Sequence, residues 1–255
     1  MINKHKLLDI FLGGLLLLCA FIVFLPVLLT GFLSVKEGFS SYLDFYLWKP
    51  IYLAGWVNSF MIAVSAATGS VIVSIPAAYI FSKMKFRGRG LLFYLYIIVM
   101  MMPFQVTLLP QYIVSKSAGI YDTLFALILP GIFSPFAVFL LTQIMKSVPN
   151  EIIEAARLDT ASTIRIILNI IIPSIRPGIV CTWILVFAEH WNSVAEPLIL
   201  LESKEYFPLA VMLNEIEAGD VLGFTAATVF MILPLILFAF FKSEIIEGLG
   251  DYRLK

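Results

Sequence analysis

Apolar residues along this chain come in long blocks, at about 7–33, 58–81, 91–115, 122–145, 175–201 and 223–241. Short polar segments separate them. A helix crosses a bilayer with about 20 mostly apolar residues, so each block is long enough to span. In a bilayer only helices and closed barrels satisfy every backbone N–H and C=O. The pattern predicts an all-α integral membrane fold: six transmembrane helices in one domain over residues 1–255, with one long polar loop, 147–174, between the fourth and fifth.

The segments between blocks carry their own signals. Residues 34–56 hold Tyr42, Phe45, Tyr46, Trp48, Tyr52 and Trp56, aromatics suited to a membrane–water interface. Asn58 is placed to cap the second span, which tolerates Gly69 and Pro76 as membrane helices do. Lys83, Lys85, Arg87 and Arg89 form a basic loop. The third span contains Pro103, Gln105, Thr107, Pro110 and Gln111; each proline removes a donor and bends the helix. Gly119–Asp122 reads as a turn, with Asp122 capping the next helix. Residues 202–222 are acidic, with Glu202, Glu205, Glu215, Glu217 and Asp220 against Lys204.

Composition agrees: 61% of residues are hydrophobic and 13% charged, against about a quarter charged in soluble domains. The formal net charge is zero, so only charge placement informs. With six spans and an inside N-terminus, all of the 17 lysines and arginines except Lys36, Lys49, Lys116 and Lys204 fall inside. The positive-inside rule therefore puts both termini and the 147–174 loop in the cytoplasm. The expected location is a membrane that the chain crosses several times. The first block is too long for a cleaved signal and no small-residue cleavage site follows it. Cys19 and Cys181 lie in oily blocks and argue against a disulfide framework. His5 and His190 are too few for a histidine zinc site.

The polar loop is patterned. Residues 150–177 read NEIIEAARLDTASTIRIILNIIIPSIRP. Pro149 suits a first helical turn, and Glu151 and Glu154 suit the positive end of that helix. Ile152, Ala155 and Ala156 sit three and four apart and are expected to form one small apolar face. A turn is expected near Asp159–Ser162, then a second short helix, with Pro173 and Pro177 bending the chain back into the membrane. An apolar face rimmed by charge reads as a docking knob.

Here the sequence resembles a known family. Glu154-Ala155-Ala156, the position at 160, then Ile170 and Pro173 resemble the coupling motif of permease subunits of bacterial ABC importers. This chain has Thr160 where the family usually has glycine. Met102-Pro103-Phe104-Gln105-Val106-Thr107-Leu108-Leu109-Pro110, Trp191-Asn192, Pro197-Leu198-Ile199, Glu205-Tyr206, Pro208-Leu209 and Glu247-Gly248-Leu249 are similar to carbohydrate-type (MalG-like, binding-protein-dependent) permeases. The resemblance implies a multi-pass protein of the bacterial plasma membrane and four partners: a second, MalF-like permease, two ATP-binding cassette ATPase subunits, and an extracellular solute-binding protein. It also implies contact with an ATPase through Glu151, Glu154, Ala155, Ala156, Asp159, Thr160, Ala161 and Pro173. The chain lacks a G-x-x-x-x-G-K-[ST] phosphate loop, so no cofactor is expected on it, and ATP is expected to be used by the partner.

Ionisable groups inside a membrane are costly and mark function. Glu189, Asn192 and Glu196, at helical spacing, are expected to share one face. With Gln105 and the stacking surface of Trp191, they are the candidates for a sugar path. His190 reads as a packed side chain. A proton-coupled secondary carrier using Glu189 and Glu196 as relays is the alternative. An intramembrane enzyme finds no convincing serine–histidine pair.

Overall fold

The computed structural model describes residues 4–250 except 37, 49, 160, 161 and 217–219. Thr160 and Ala161 therefore lie outside the described residues. Among the described residues every regular element is a helix. Four helical segments are long and apolar enough to cross a membrane, or up to six if two bent pairs each count as a span.

Helix α1 (Lys4–Ser34) leads to a short α2 (Ser40–Leu43) and a π-turn at Asp44–Trp48. Then α3 (Pro50–Lys83) runs the length of the molecule. Its sequence explains its central place. Ser59, Ala63, Ala66, Ala67, Ser70, Ser74 and Ala78 recur at three- and four-residue spacing and are all buried. A stripe of small residues lets neighbouring backbones approach closely. Gly69 shows how closely: a Cβ there would stand 2.6 Å from Ile132 Cγ1.

Three apolar clusters follow one another along α3. One end joins Ile62 to Phe45, Leu209, Met212 and Ala226. The middle joins Ala63 and Ala67 to Val186, Phe187 and Trp191. The other end joins Ala78 and Tyr79 to Leu141, Met145, Ile153, Ile166 and Ile171. Asn58 is not a cap: it lies inside α3, and its Nδ2 donates to the carbonyls of Glu205 (2.7 Å) and Phe207 (3.3 Å). Beside it, Ser59 Oγ accepts from the Leu209 amide at 2.9 Å. These bonds fold the segment after residue 201, including α13 (Leu209–Leu213), back onto α3.

The third apolar block is two helices, α4 (Arg89–Met100) and α5 (Phe104–Ser117), bent by 93°. Pro103 lacks an N–H and restricts Met102 before it, so the break falls there; Pro110 stays inside α5. The next block divides into α6 (Phe125–Ile132) and α7 (Pro135–Lys146). Pro135 opens α7, and Ser134 caps it by accepting from the Ala137 amide. Asp122 does not cap its own helix. It takes φ 57° and reaches across to the segment after residue 200. Its carboxylate accepts from the amides of Glu202 (2.8 Å) and Ser203 (2.9 Å) and from Ser203 Oγ (2.6 Å).

The polar stretch forms α8 (Asn150–Asp159), then α9 (Thr163–Ile166) capped by Ser162, a π-turn at Ile167–Ile171, and α10 (Ile172–Ser174). Pro149 stands just before α8 rather than in its first turn. The chain bends by 82° into α11 (Arg176–Trp191). At 1.5 Å per residue α11 is about 24 Å long, short of a bilayer core of about 30 Å. A break at 192–194 and α12 (Ala195–Leu200) continue it. Helix α14 (Val221–Leu249) kinks at Phe241 and packs on α1, whose other sides are exposed in this chain. Ser34 ties the two: its carbonyl accepts from Ser41 Oγ and Thr225 Oγ1.

Candidate functional site

Two features stand out: a cavity among α4, α5, α6, α7, α11 and α12, and the surface of α8.

The cavity has a volume of about 320 Å³. Helix α5 contributes Phe104, Thr107 and Gln111, spaced three and four apart and so on one face. Ser134 enters from the α7 cap, and Glu189, His190 and Glu196 enter from the other side. Gln111 Oε1 is buried without a hydrogen-bond partner among the described residues. His190 packs closely against α6 at Gly131, where a Cβ would meet its Cε1 and Nε2 at 2.8 Å. A smaller cavity of about 260 Å³ adjoins, lined by Phe104, Ser193 and the same two glutamates. Ser193 Oγ donates to Glu196 Oε2 at 3.3 Å.

The single-face arrangement expected of Glu189, Asn192 and Glu196 does not form, because α11 ends at Trp191. The break turns the chain, yet Glu189 and Glu196 still meet at both cavities. Asn192 instead donates from Nδ2 to the Ala188 carbonyl at 2.8 Å, is exposed, and lines neither cavity. Trp191 is fully buried, stacked between Phe187 (5.3 Å) and Phe230 (4.9 Å) and edge-on to Trp56 (6.0 Å). Gln105 is exposed. Two positions from Thr107 means about 200° of helical rotation, which turns Gln105 from the cavity. Thr107, Gln111 and Ser134 were outside the expected set; with α5 known to start at Phe104, helical spacing alone picks out the first two.

On α8 the expected single apolar face divides in two. Ile153 and Ala156 are 4% and 6% exposed and pack into the cluster around Tyr79 and Met145. Ile152 and Leu158 are 44% and 90% exposed, and Glu151, Glu154 and Ala155 are exposed with them. Asp159 ends the helix. Beyond it, Ile164 and Leu168 are exposed, as is Pro173. Lys83, at the end of α3, donates from Nζ to the Val148 carbonyl and to Asn150 Oδ1, which fixes α8 to the bundle.

Comparisons with known proteins place this architecture. Residues 70–248 match the family described as binding-protein-dependent transport system inner membrane component. The chain is 31% identical over 218 residues to the arabinooligosaccharides transport system permease protein AraQ of Bacillus subtilis, covering 83% of this chain and 77% of that one. It is 30% identical over 185 residues to the sn-glycerol-3-phosphate transport system permease protein UgpE of Brucella abortus, covering 71% and 66%. Its fold is similar to a chain in the crystal structure of a bacterial ABC transporter involved in the import of the acidic polysaccharide alginate. That match has a TM-score of 0.79 at 20% identity and covers 96% of this chain and 98% of the other. The chain belongs to the binding-protein-dependent inner membrane components, the carbohydrate-type permeases of bacterial ABC importers.

Proposed function

We propose that this chain is one of two permease subunits of an ATP-driven importer. With a second, MalF-like permease it encloses the path of a mono- or oligosaccharide or related solute. Its 150–177 segment docks on one of two ATPase subunits, and an extracellular binding protein delivers the solute. In this reading the chain crosses the membrane six times with both termini cytoplasmic, and the bends at Pro103 and Ile175 lie within or beside spans.

The observation that carries the reading is the division of α8. Its inner face is anchored in the bundle by Ile153 and Ala156, and its outer face leaves Ile152, Ala155 and Leu158 to solvent, continued by Ile164 and Leu168. Apolar side chains collected at a polar end of a membrane protein mark an interaction surface. Covering each large one contributes about 1.5–3 kcal/mol at most. A helix gripped on one side and docked on the other passes a partner's domain motion to the bundle as a rigid body. Hydrolysis belongs to the partner, and this chain converts closure of the ATPase pair into movement around the cavity.

The test is substitution on the outer face. Ala155→Arg and Glu154→Arg should release the ATPase while the two permeases still co-purify. Full ATP-driven uptake by either variant would show the docking assignment to be wrong. Uptake by this chain alone, driven by a proton gradient and indifferent to ATP, would instead favour a secondary carrier.

A further inference from the structure

The cavity lining has a one-sided chemistry. Glu189 and Glu196 border both cavities, and among the described residues neither cavity is lined by lysine or arginine. Gln111 adds an unpartnered buried Oε1, and Thr107 and Ser134 add hydroxyls that donate or accept. Sugar hydroxyls can donate to each acceptor here. A carboxylate or phosphate group brings acceptors only and meets no lysine or arginine among the described lining residues. Beside ionised glutamates its charge is repelled, and no lysine or arginine among the described lining residues offsets that.

Resting on the reading of this cavity as one wall of a sugar path, we propose that the wall selects neutral, hydroxyl-rich sugars and rejects acidic ones, with Glu189, Glu196 and Gln111 accepting from sugar hydroxyls. The fold does not decide this, since the same fold occurs in an importer of the acidic polysaccharide alginate. The side chains of the lining decide it.

The experiment uses the assembled complex of both permeases, ATPases and binding protein in proteoliposomes. Radiolabelled arabinotriose, xylotriose and maltotriose serve as neutral probes, and trigalacturonate and an alginate trisaccharide as acidic ones. The expected result is ATP-driven uptake of at least one neutral probe and of neither acidic probe. Glu196→Gln and Gln111→Ala should each slow neutral uptake about two- to tenfold, the range of one lost hydrogen bond, with the ATPase still bound. Acidic uptake at a rate comparable to the best neutral probe overturns the proposal, as does absent neutral uptake by an ATP-hydrolysing complex, or unchanged uptake in both variants. Failure of the chain to co-purify with any ATPase overturns the permease reading itself, and is seen before any probe is added.

Discussion

Asp122 shows how much one residue can hold. It adopts a left-handed backbone that aspartate tolerates better than most residues. In that position its carboxylate collects the Ser203 hydroxyl and the amides of Ser203 and Glu202. The loop before α6 is thereby joined to the end of α12, whose Leu200 carbonyl accepts from the Asp122 amide at 3.1 Å. The Ser203 hydroxyl first, then the Ser203 and Glu202 amides, hold its carboxyl below the ordinary 3.8. The folded form therefore favours the carboxylate more than the unfolded chain does. The clamp's contribution is fully present above 3.8 and is lost as pH falls through the lowered value. Hydrogen-exchange protection of the Glu202 and Ser203 amides should accordingly persist from neutral pH into the carboxylate range and drop only below it. In Asp122→Asn, which cannot ionise, protection should be weaker at neutral pH and insensitive to that titration. Equal protection in both proteins would remove the clamp.

At the scale of elements, α8 and α5 teach the same lesson about faces. Each carries residues of similar type a few positions apart, and helical rotation sends them to different surroundings. On α8, Ile153 is packed and Leu158 is not. Ile153→Ala should therefore destabilise the folded chain by about 2–5 kcal/mol, the usual cost of a buried isoleucine truncated to alanine, read as a lower melting temperature in detergent. Leu158→Ala should leave that temperature nearly unchanged and weaken ATPase retention. Loss of stability in the second variant and not the first would reverse the assignment of faces.

The whole molecule is a set of helices arranged on α3, with polar ends of different character. The loop 202–216 is pinned to α3 through Asn58 and Ser59 and carries the Lys204–Glu215 pair at 2.9 Å. The α8–α10 segment occupies the other end of α3, beside Tyr79 and Lys83. Placing the first outside and the second inside makes a direct expectation. With Cys19 and Cys181 replaced, a single cysteine at Lys204 should react with a membrane-impermeant maleimide in intact cells, and one at Arg165 only after lysis. The opposite pattern would invert the topology.

Block lengths and charge placement made an all-helical membrane protein legible in the sequence, because bilayer thickness and backbone satisfaction leave few other solutions for so many long apolar runs. The Glu154–Pro173 motif made the family legible, and the comparisons bear that out. The prolines at 173 and 177 also showed where the polar stretch bends back, since proline acts locally. The division of α8 into two faces was not legible, because Ile152 and Ile153 differ only in which neighbours surround them. Nor was the cavity wall. A proline can bend a span or end it, and only the packing of α4 on α7 and of α5 on α12 turned the break at Pro103 to aim Thr107 and Gln111 inward and Gln105 outward. The break after Trp191 likewise set Asn192 aside while bringing Glu189 and Glu196 together. Sequence fixes which residues lie on a common stripe of an unbroken helix; where helices break, only the tertiary arrangement decides which of them share a surface.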